Sequence, residues 1–222
     1  MSKPTMTVFA GTNGAGKSSM TRNYFNNNLG EIIDPDAIAK TINPSHPESV
    51  SPSAGREAIK RVRECIQNGK SFSIETTLAG KNAIRQMEQA KKAGFEINLY
   101  YVGLKNVEYH IERVEMRVMS GGHHIPEEDI RRRYDRSIGN LPEAIKLSDR
   151  TFIFDNTLKI PRLVMEIEKG KVQTMSKDIP RWVKGAFLKE AEKVQEQTHT
   201  KEGTQEREGK GTQRLKGSDL ER

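Results

Sequence analysis

The chain has 222 residues, 37 lysines and arginines against 30 acids, and 34% hydrophobic residues. That length fits one domain with a tail better than two full domains. No apolar run approaches the roughly 20 residues that span a bilayer, and no charged segment followed by an apolar stretch marks a secretory leader at the N-terminus. Cys65 is the single cysteine, so an intrachain disulfide and a cysteine-built metal site are excluded, and a cytoplasmic location is expected. The net charge of +7 favours anionic partners.

In chain order, Thr7–Ala10 is a short apolar run that reads as a buried strand, and a helix follows from about Gly16 to Phe25. The Asn26-Asn27-Asn28-Leu29-Gly30 stretch stops that helix. Glu31–Ile33 reads as a second strand ending at Asp34-Pro35-Asp36, and residues 43–54, with Pro44, Pro47 and Pro52, as a loop or at most a short helix between breaks. Ala54–Asn68 has helical spacing, with Cys65 as a small core residue of that helix. Ser71–Ile74 is a strand, Lys81–Ala93 a helix closed by Gly94, Phe95–Leu104 the strongest strand, and Val107–Met119 a helix stopped by Gly121-Gly122. Pro126 opens another helix with three acids in its first turn, running to Arg136 or beyond, and a second helical stretch follows Pro142. Thr151–Phe154 is a strand ending at Asp155-Asn156, and Lys171–Met175 a late edge strand.

This alternation predicts an α/β domain over 1–189 whose mostly parallel sheet carries helices on both faces. Residues 190–222 carry seven basic and eight acidic side chains and few apolar ones. They are expected to form a disordered tail, with a helix over Trp182–Val194 as its start. The basic excess therefore belongs to residues 1–189.

Gly11-Thr12-Asn13-Gly14-Ala15-Gly16-Lys17-Ser18 fits G-x-x-x-x-G-K-[ST] at every fixed position. Such a match arises by chance in roughly 1% of chains this long, and here a strand precedes it and a helix follows. The glycines let successive backbone N–H groups face one anion, and the positive end of the helix adds to the same spot. Lys17 is expected on the β- and γ-phosphates of ATP, the Ser18 hydroxyl on Mg²⁺, and Ser19 beside them. Ligands in such sheets sit outside the carboxyl ends of the strands. Asp34, Asp36, Glu75 and Asp155 all fall there, as proton acceptors or as partners of Mg²⁺ through water. The plainer alternative makes Asp34 a turn or N-cap residue and Asp155 a turn. A long apolar strand ending in Asp-Glu is missing, which favours a small kinase over a motor ATPase.

The segment from Arg117 to Ser137 is rich in arginine and contains Gly121-Gly122-His123-His124. Arginine suits a transferring phosphoryl group. Arg133 and Arg136 are expected to share a helix face, and the glycine pair suggests a lid joint. The alternative is a solvated face paired with Glu127, Glu128 and Asp129. Nucleic acid stays open as an acceptor, although zinc-finger spacing and interleaved aromatics are missing.

The set GTNGAGKSS, IIDPD, SIETTL, RVMSGGHHIPEEDIRRRYDRSIGNL and RTFIFDN, over Thr7 to Asn156, resembles the zeta-toxin-like kinases. The resemblance implies a P-loop NTPase fold and ATP-dependent phosphorylation of a small-molecule hydroxyl, with UDP-N-acetylglucosamine as the acceptor of the best-known members and an antitoxin protein as partner. It implies Asp36 as catalytic base, with Glu57, Glu75 and Thr77 at the acceptor site, where Asp34 is expected from its place at the strand end. His123, expected to contact an anion or the acceptor, falls where toxins of this group carry a phosphate-facing arginine, so that arginine's role is expected to pass to Arg117, Arg133 or Arg136. This departure leaves the acceptor open, with a nucleoside or polynucleotide 5′-hydroxyl and a non-catalytic ATP-sensing module as alternatives.

Overall fold

The computed structural model describes residues 3–24, 29–122, 124–158 and 160–187. The elements are β1 (Thr5–Ala10), α1 (Lys17–Tyr24), β2 (Glu31–Ile33), α2 (Pro35–Ile42), α3 (Ser51–Gln67), β3 (Phe72–Thr76), α4 (Lys81–Lys92), β4 (Glu96–Gly103), α5 (Val107–Met119), α6 (Glu127–Leu147), β5 (Arg150–Asp155), β6 (Arg162–Glu168) and β7 (Lys171–Met175). A 3-10 turn at Pro47–Val50 leads into α3, and residues 181–187 are helical. The expected tail, 190–222, and the far part of the helix expected over Trp182–Val194 lie outside the described residues.

The seven strands are ordered β2-β3-β1-β4-β5-β6-β7. The first five pair in parallel, and β6 and β7 add antiparallel. Period-two alternation sorts the side chains. Met6, Val8 and Ala10 lie in register with Phe72, Ile74, Ile97, Leu99 and Tyr101. These residues join Val62, Ile84, Met87, Leu141 and Ile145 of α3, α4 and α6 in the main core. Ala15 and Met20, from the loop and α1, instead pack with Val102 and Phe154 in a separate cluster. A third cluster joins α5 to the start of α6 through Ile111, Val114, Ile125 and Ile130.

Three elements differ from the sequence expectation, the first being helix α2 over Pro35–Ile42, a stretch to which the sequence reading gave no element after Asp36. α6 runs unbroken from Glu127 to Leu147 with Pro142 inside it, where two helical stretches were expected. Proline removes one backbone hydrogen bond from a helix. Here Leu141, Pro142, Ala144 and Ile145 are all buried, and that packing carries the helix across the gap. The sheet also gains β6, which the sequence reading left unassigned. Lys169 and Gly170 at its end both have positive φ, 47° and 76°, and Glu168 pairs with Lys171. Those are the marks of a two-residue hairpin turn of the kind that matches strand twist, and β6 tucks Val164, Met165 and Ile167 into the core.

Candidate active site

The carboxyl ends of β1 and β3 are adjacent, with Ala10 opposite Thr76 and Phe9 opposite Glu75. This places the loop Gly11–Gly16 beside the segment Glu75–Thr77. Thr12 and Asn13 are buried. Ala15 N–H donates to Thr12 O over 3.1 Å, and Met20 N–H to Gly16 O over 3.0 Å, so the loop closes into the first turn of α1. Gly11 has φ of +138°, and a Cβ there would stand 2.1 Å from Val102 O. Only glycine lets β1 turn this close to β4.

Lys17, half-buried at the start of α1, donates to Gly11 O over 2.7 Å and to Thr12 O over 3.4 Å. Burial lowers its ammonium below the usual lysine value; Glu75, Asp36 and Asp34 oppose that shift, and Arg117 adds to it. Ser18 Oγ donates to Glu75 Oε2 over 2.8 Å, and Ser19 is exposed. Asp34 caps α2, its Oδ1 accepting from Asp36 N–H over 3.0 Å. Its carboxyl is pushed up to about 6 by burial first and then by Glu75 and Asp36, with Lys17 pulling the other way. Asp34 is thus both the N-cap of the plainer reading and one of three carboxylates acting on Lys17. Asp36 stands exposed in the first turn of α2.

The turn after Glu75 is tightly fixed. Thr76 Oγ1 accepts from Leu78 N–H and Thr77 Oγ1 from Ala79 N–H, while Asn140 Nδ2 of α6 donates to Leu78 O over 2.8 Å. Leu78 is fully buried with φ of +57°. Such a conformation in a non-glycine residue persists only where its surroundings impose it.

Among the expected arginines, Arg117 is exposed on α5 and acts on Lys17. Gly121, at φ of +81°, follows the end of α5, and Gly122 N–H donates to Arg117 O over 2.8 Å. A Cβ on Gly122 would meet Arg117 Cγ at 2.5 Å, so the glycine pair ends α5 and seats Arg117. Arg133 donates from Nη1 to Asn13 Oδ1 over 3.0 Å and lies 3.7 Å from Asp129. Arg136 is exposed on α6. Glu57 turns elsewhere: it pairs with Arg61 at 2.9 Å on α3, and Arg61 also reaches Glu31. Asp155 takes the turn role, accepting from the Thr157 backbone N–H over 2.9 Å and from the Thr157 hydroxyl. His123 lies outside the described residues.

Three residues around the loop escaped the sequence reading. His110 Nδ1 lies 2.8 Å from Asn13 O. Asn156 Nδ2 donates to Ala15 O over 2.8 Å, and Arg113 donates to Asn156 O over 2.7 Å. Burial lowers His110 to about 4, the bond to Asn13 opposing and the charges of Lys17 and Arg113 adding. An apolar cavity of about 270 Å³, lined by Ile111, Val114, Val118, Ile125 and Ile130 among others, opens between α5 and α6 and includes no residue of the phosphate loop.

The residues present fit a nucleoside triphosphate and a divalent cation. Added Cβ atoms on Gly11, Gly14 and Gly16 would all clash with neighbouring atoms, so the loop has room for backbone alone, the form that lets N–H groups crowd an anion. Among the described residues no three acidic, histidine or cysteine side chains converge enough to hold a metal by themselves. A cation beside Ser18 would therefore take its remaining ligands from phosphate and water.

Known proteins share this architecture. A chain of the AvrRxo1-ORF1:-ORF2 complex crystallised with ATP superposes with a TM-score of 0.62 at 14% identity, over 78% of this chain and 60% of that one. The chain thus spans about 60% of the length of that relative. A structure from the PezAT chromosomal toxin-antitoxin system of Streptococcus pneumoniae superposes with a TM-score of 0.57 at 17% identity over 88% of both chains. At those identities the likeness is one of fold. An uncharacterised Haemophilus influenzae protein is 40% identical over 126 residues, 57% of this chain and 89% of its own length. Residues 1–160 match the zeta toxin family model, and the chain belongs to the zeta toxin family.

Proposed function

We propose that the chain is an ATP-dependent kinase that moves the γ-phosphate to a hydroxyl of a small acceptor, with UDP-N-acetylglucosamine the first acceptor to test. The observation that carries this is the meeting, at one sheet edge, of the glycine loop and Lys17 with Asp34, Asp36 and Glu75. Family membership supports the same class of enzyme.

In this reading the loop N–H groups and Lys17 bind the triphosphate, and Arg117 adds positive charge beside it. Asp36, exposed and free of the capping role that Asp34 fills, takes the proton of the acceptor hydroxyl. Ser18 would hold Mg²⁺, with Glu75 reaching the ion through water, and the ion when bound would neutralise charge on the phosphate oxygens. Glu75 and Thr77 border the acceptor, their backbone set by the Leu78 turn. Arg133 acts through Asn13, seating the loop from the α6 side. Glu57, held by Arg61, serves the stability of α3 rather than the acceptor.

The test is a mass-spectrometric comparison of a metabolite mixture before and after incubation with protein, ATP and Mg²⁺. We expect a single mass shifted by one phosphoryl group, reduced about 10²–10⁴-fold in Asp36→Asn with ATP affinity retained. An active Asp36→Asn variant refutes the assignment of the base. Wild-type protein that binds ATP but phosphorylates nothing refutes the kinase reading in favour of an ATP-sensing module, and end-labelling of oligonucleotides favours a polynucleotide kinase. An antitoxin partner is proposed because the PezAT structure is described as part of a toxin-antitoxin system.

A further inference from the structure

Outside the catalytic groups, the phosphate loop is held from behind by side chains that come from distant segments. We propose that His110, donating its Nδ1–H to the Asn13 carbonyl, is a positioning residue that holds the phosphate loop in its nucleotide-binding shape; this rests on the kinase reading above.

The argument begins with the peptide plane. In a trans peptide the carbonyl of one residue and the N–H of the next point in opposite directions. Fixing the Asn13 carbonyl outward, at 2.8 Å from His110 Nδ1, therefore turns Gly14 N–H inward, toward the anion. Asn156 does the same one step along: its Nδ2 holds Ala15 O over 2.8 Å and so directs Gly16 N–H. The α5 backbone reinforces the contact, since a Cβ on Gly14 would lie 2.7 Å from His110 O. The loop thus lies against both the side chain and the main chain of His110.

The imidazole is suited to this role because it has no freedom. It is 1% exposed, and the Tyr134 ring stands edge-on at 5.4 Å and 62°. Nε2 is buried and makes no hydrogen bond. The only tautomer that satisfies the Asn13 carbonyl carries its proton on Nδ1; the other would set two lone pairs against each other. A proton on both nitrogens would place a third cation near Lys17 and Arg113, the charged groups that act on the ring. The buried, unpaired Nε2 is a cost retained for the Nδ1 contact on the opposite side of the ring.

The test uses full-length protein, Mg²⁺ and ATP in a calorimetric titration with two variants. Asn carries an N–H donor where histidine has Nδ1, and Phe keeps the ring without one. His110→Phe is expected to bind ATP about tenfold more weakly, the loss of one buried hydrogen bond, and His110→Asn to recover to within about threefold. A mere packing role reverses that order, because Phe fills the site better than Asn. His110→Phe binding as tightly as wild type, or His110→Asn as weakly as His110→Phe, overturns the proposal. A second arm does not depend on either variant folding or on ATP: the ¹⁵N shifts of the His110 ring in nucleotide-free wild type between pH 5 and 8. A neutral Nδ1–H tautomer throughout is expected, and an Nε2–H tautomer overturns the proposal. Wild-type protein that binds no ATP refutes the kinase reading instead, and the tautomer then decides whether His110 anchors the loop.

Discussion

Replacing His110 with Asn should change how the protein's stability responds to acid. The folded-state value of His110 is about 4 against an ordinary 6.5, so between those limits the unfolded chain binds the proton more tightly. Stability from this group is therefore complete above about pH 6.5 and is lost as pH falls toward 4. Integrating from pH 7 to 4.5 gives a loss of about 2.5 kcal/mol. The ring is 1% exposed, so solvent screening takes little from that figure. Asp34 works in the opposite sense: its carboxyl is raised from 3.8 to about 6, and the folded state loses stability as pH rises through that window. The two groups partly cancel in wild type, and only a difference between proteins reveals either. Urea unfolding of wild type and His110→Asn across pH 4.5–7 supplies it, because Asn does not titrate and the remaining groups are shared. The stability advantage of wild type over the variant should shrink by about 2.5 kcal/mol from pH 7 to 4.5. Parallel pH curves for the two proteins would refute the claim that His110 is held neutral.

Asp34→Asn should act on the other side of that balance. Asn keeps the acceptor for Asp36 N–H and removes one of three neighbouring negative charges. Asp34 is half-buried, and screening reduces the gain to about 1 kcal/mol at pH 8. Thermal melts at pH 8 and pH 4 should show the variant ahead at the higher pH only, and equal melting points at both would contradict the burial and the repulsion from Glu75 and Asp36 that together raise this carboxyl. Gly16→Ala should abolish ATP binding and cost about 1–3 kcal/mol of stability. A Cβ there lies 2.4 Å from Asn156 Nδ2 at φ of +95°, so the loop must leave Asn156. Calorimetry showing unchanged affinity would mean that the Asn156 contact can be spared.

Much of the fold was legible because it is written in local pattern. Each strand that begins or follows a sharp apolar run, from Thr5–Ala10 to Arg150–Asp155, was foreseen to within a few residues. β6 was not, although Val164, Met165 and Ile167 carry its apolar content. Its turn, Lys169-Gly170, has a lysine in a positive-φ position where Asn or Asp would have announced a hairpin. Pro142 misled in the other direction. Proline breaks an isolated helix, but the decision at Pro142 belongs to tertiary packing, which the neighbouring residues do not display.

The site divides along the same line, and the division has a physical origin. On the proposed kinase reading, residues that serve the phosphates and the acceptor must sit within one loop and at strand ends, so their spacing is constrained, and Gly11–Ser18, Asp36 and Glu75 could be put forward from sequence. Residues that shape the loop from outside need only the right hydrogen-bond donor at the right point in space. His110, Arg133 and Asn156 reach Asn13 and Ala15 across 97, 120 and 141 positions, and any element that ends nearby could have supplied them. Arg133 shows the consequence. Its charge suggested a phosphate contact, yet its guanidinium holds the Asn13 side chain. Asn13 is an unconstrained position of the motif, but here its carbonyl and its amide are both claimed by helices, α5 and α6. The same loop sequence on a different helical frame would have no reason to place asparagine there, so the choice of Asn13 records the frame rather than the nucleotide.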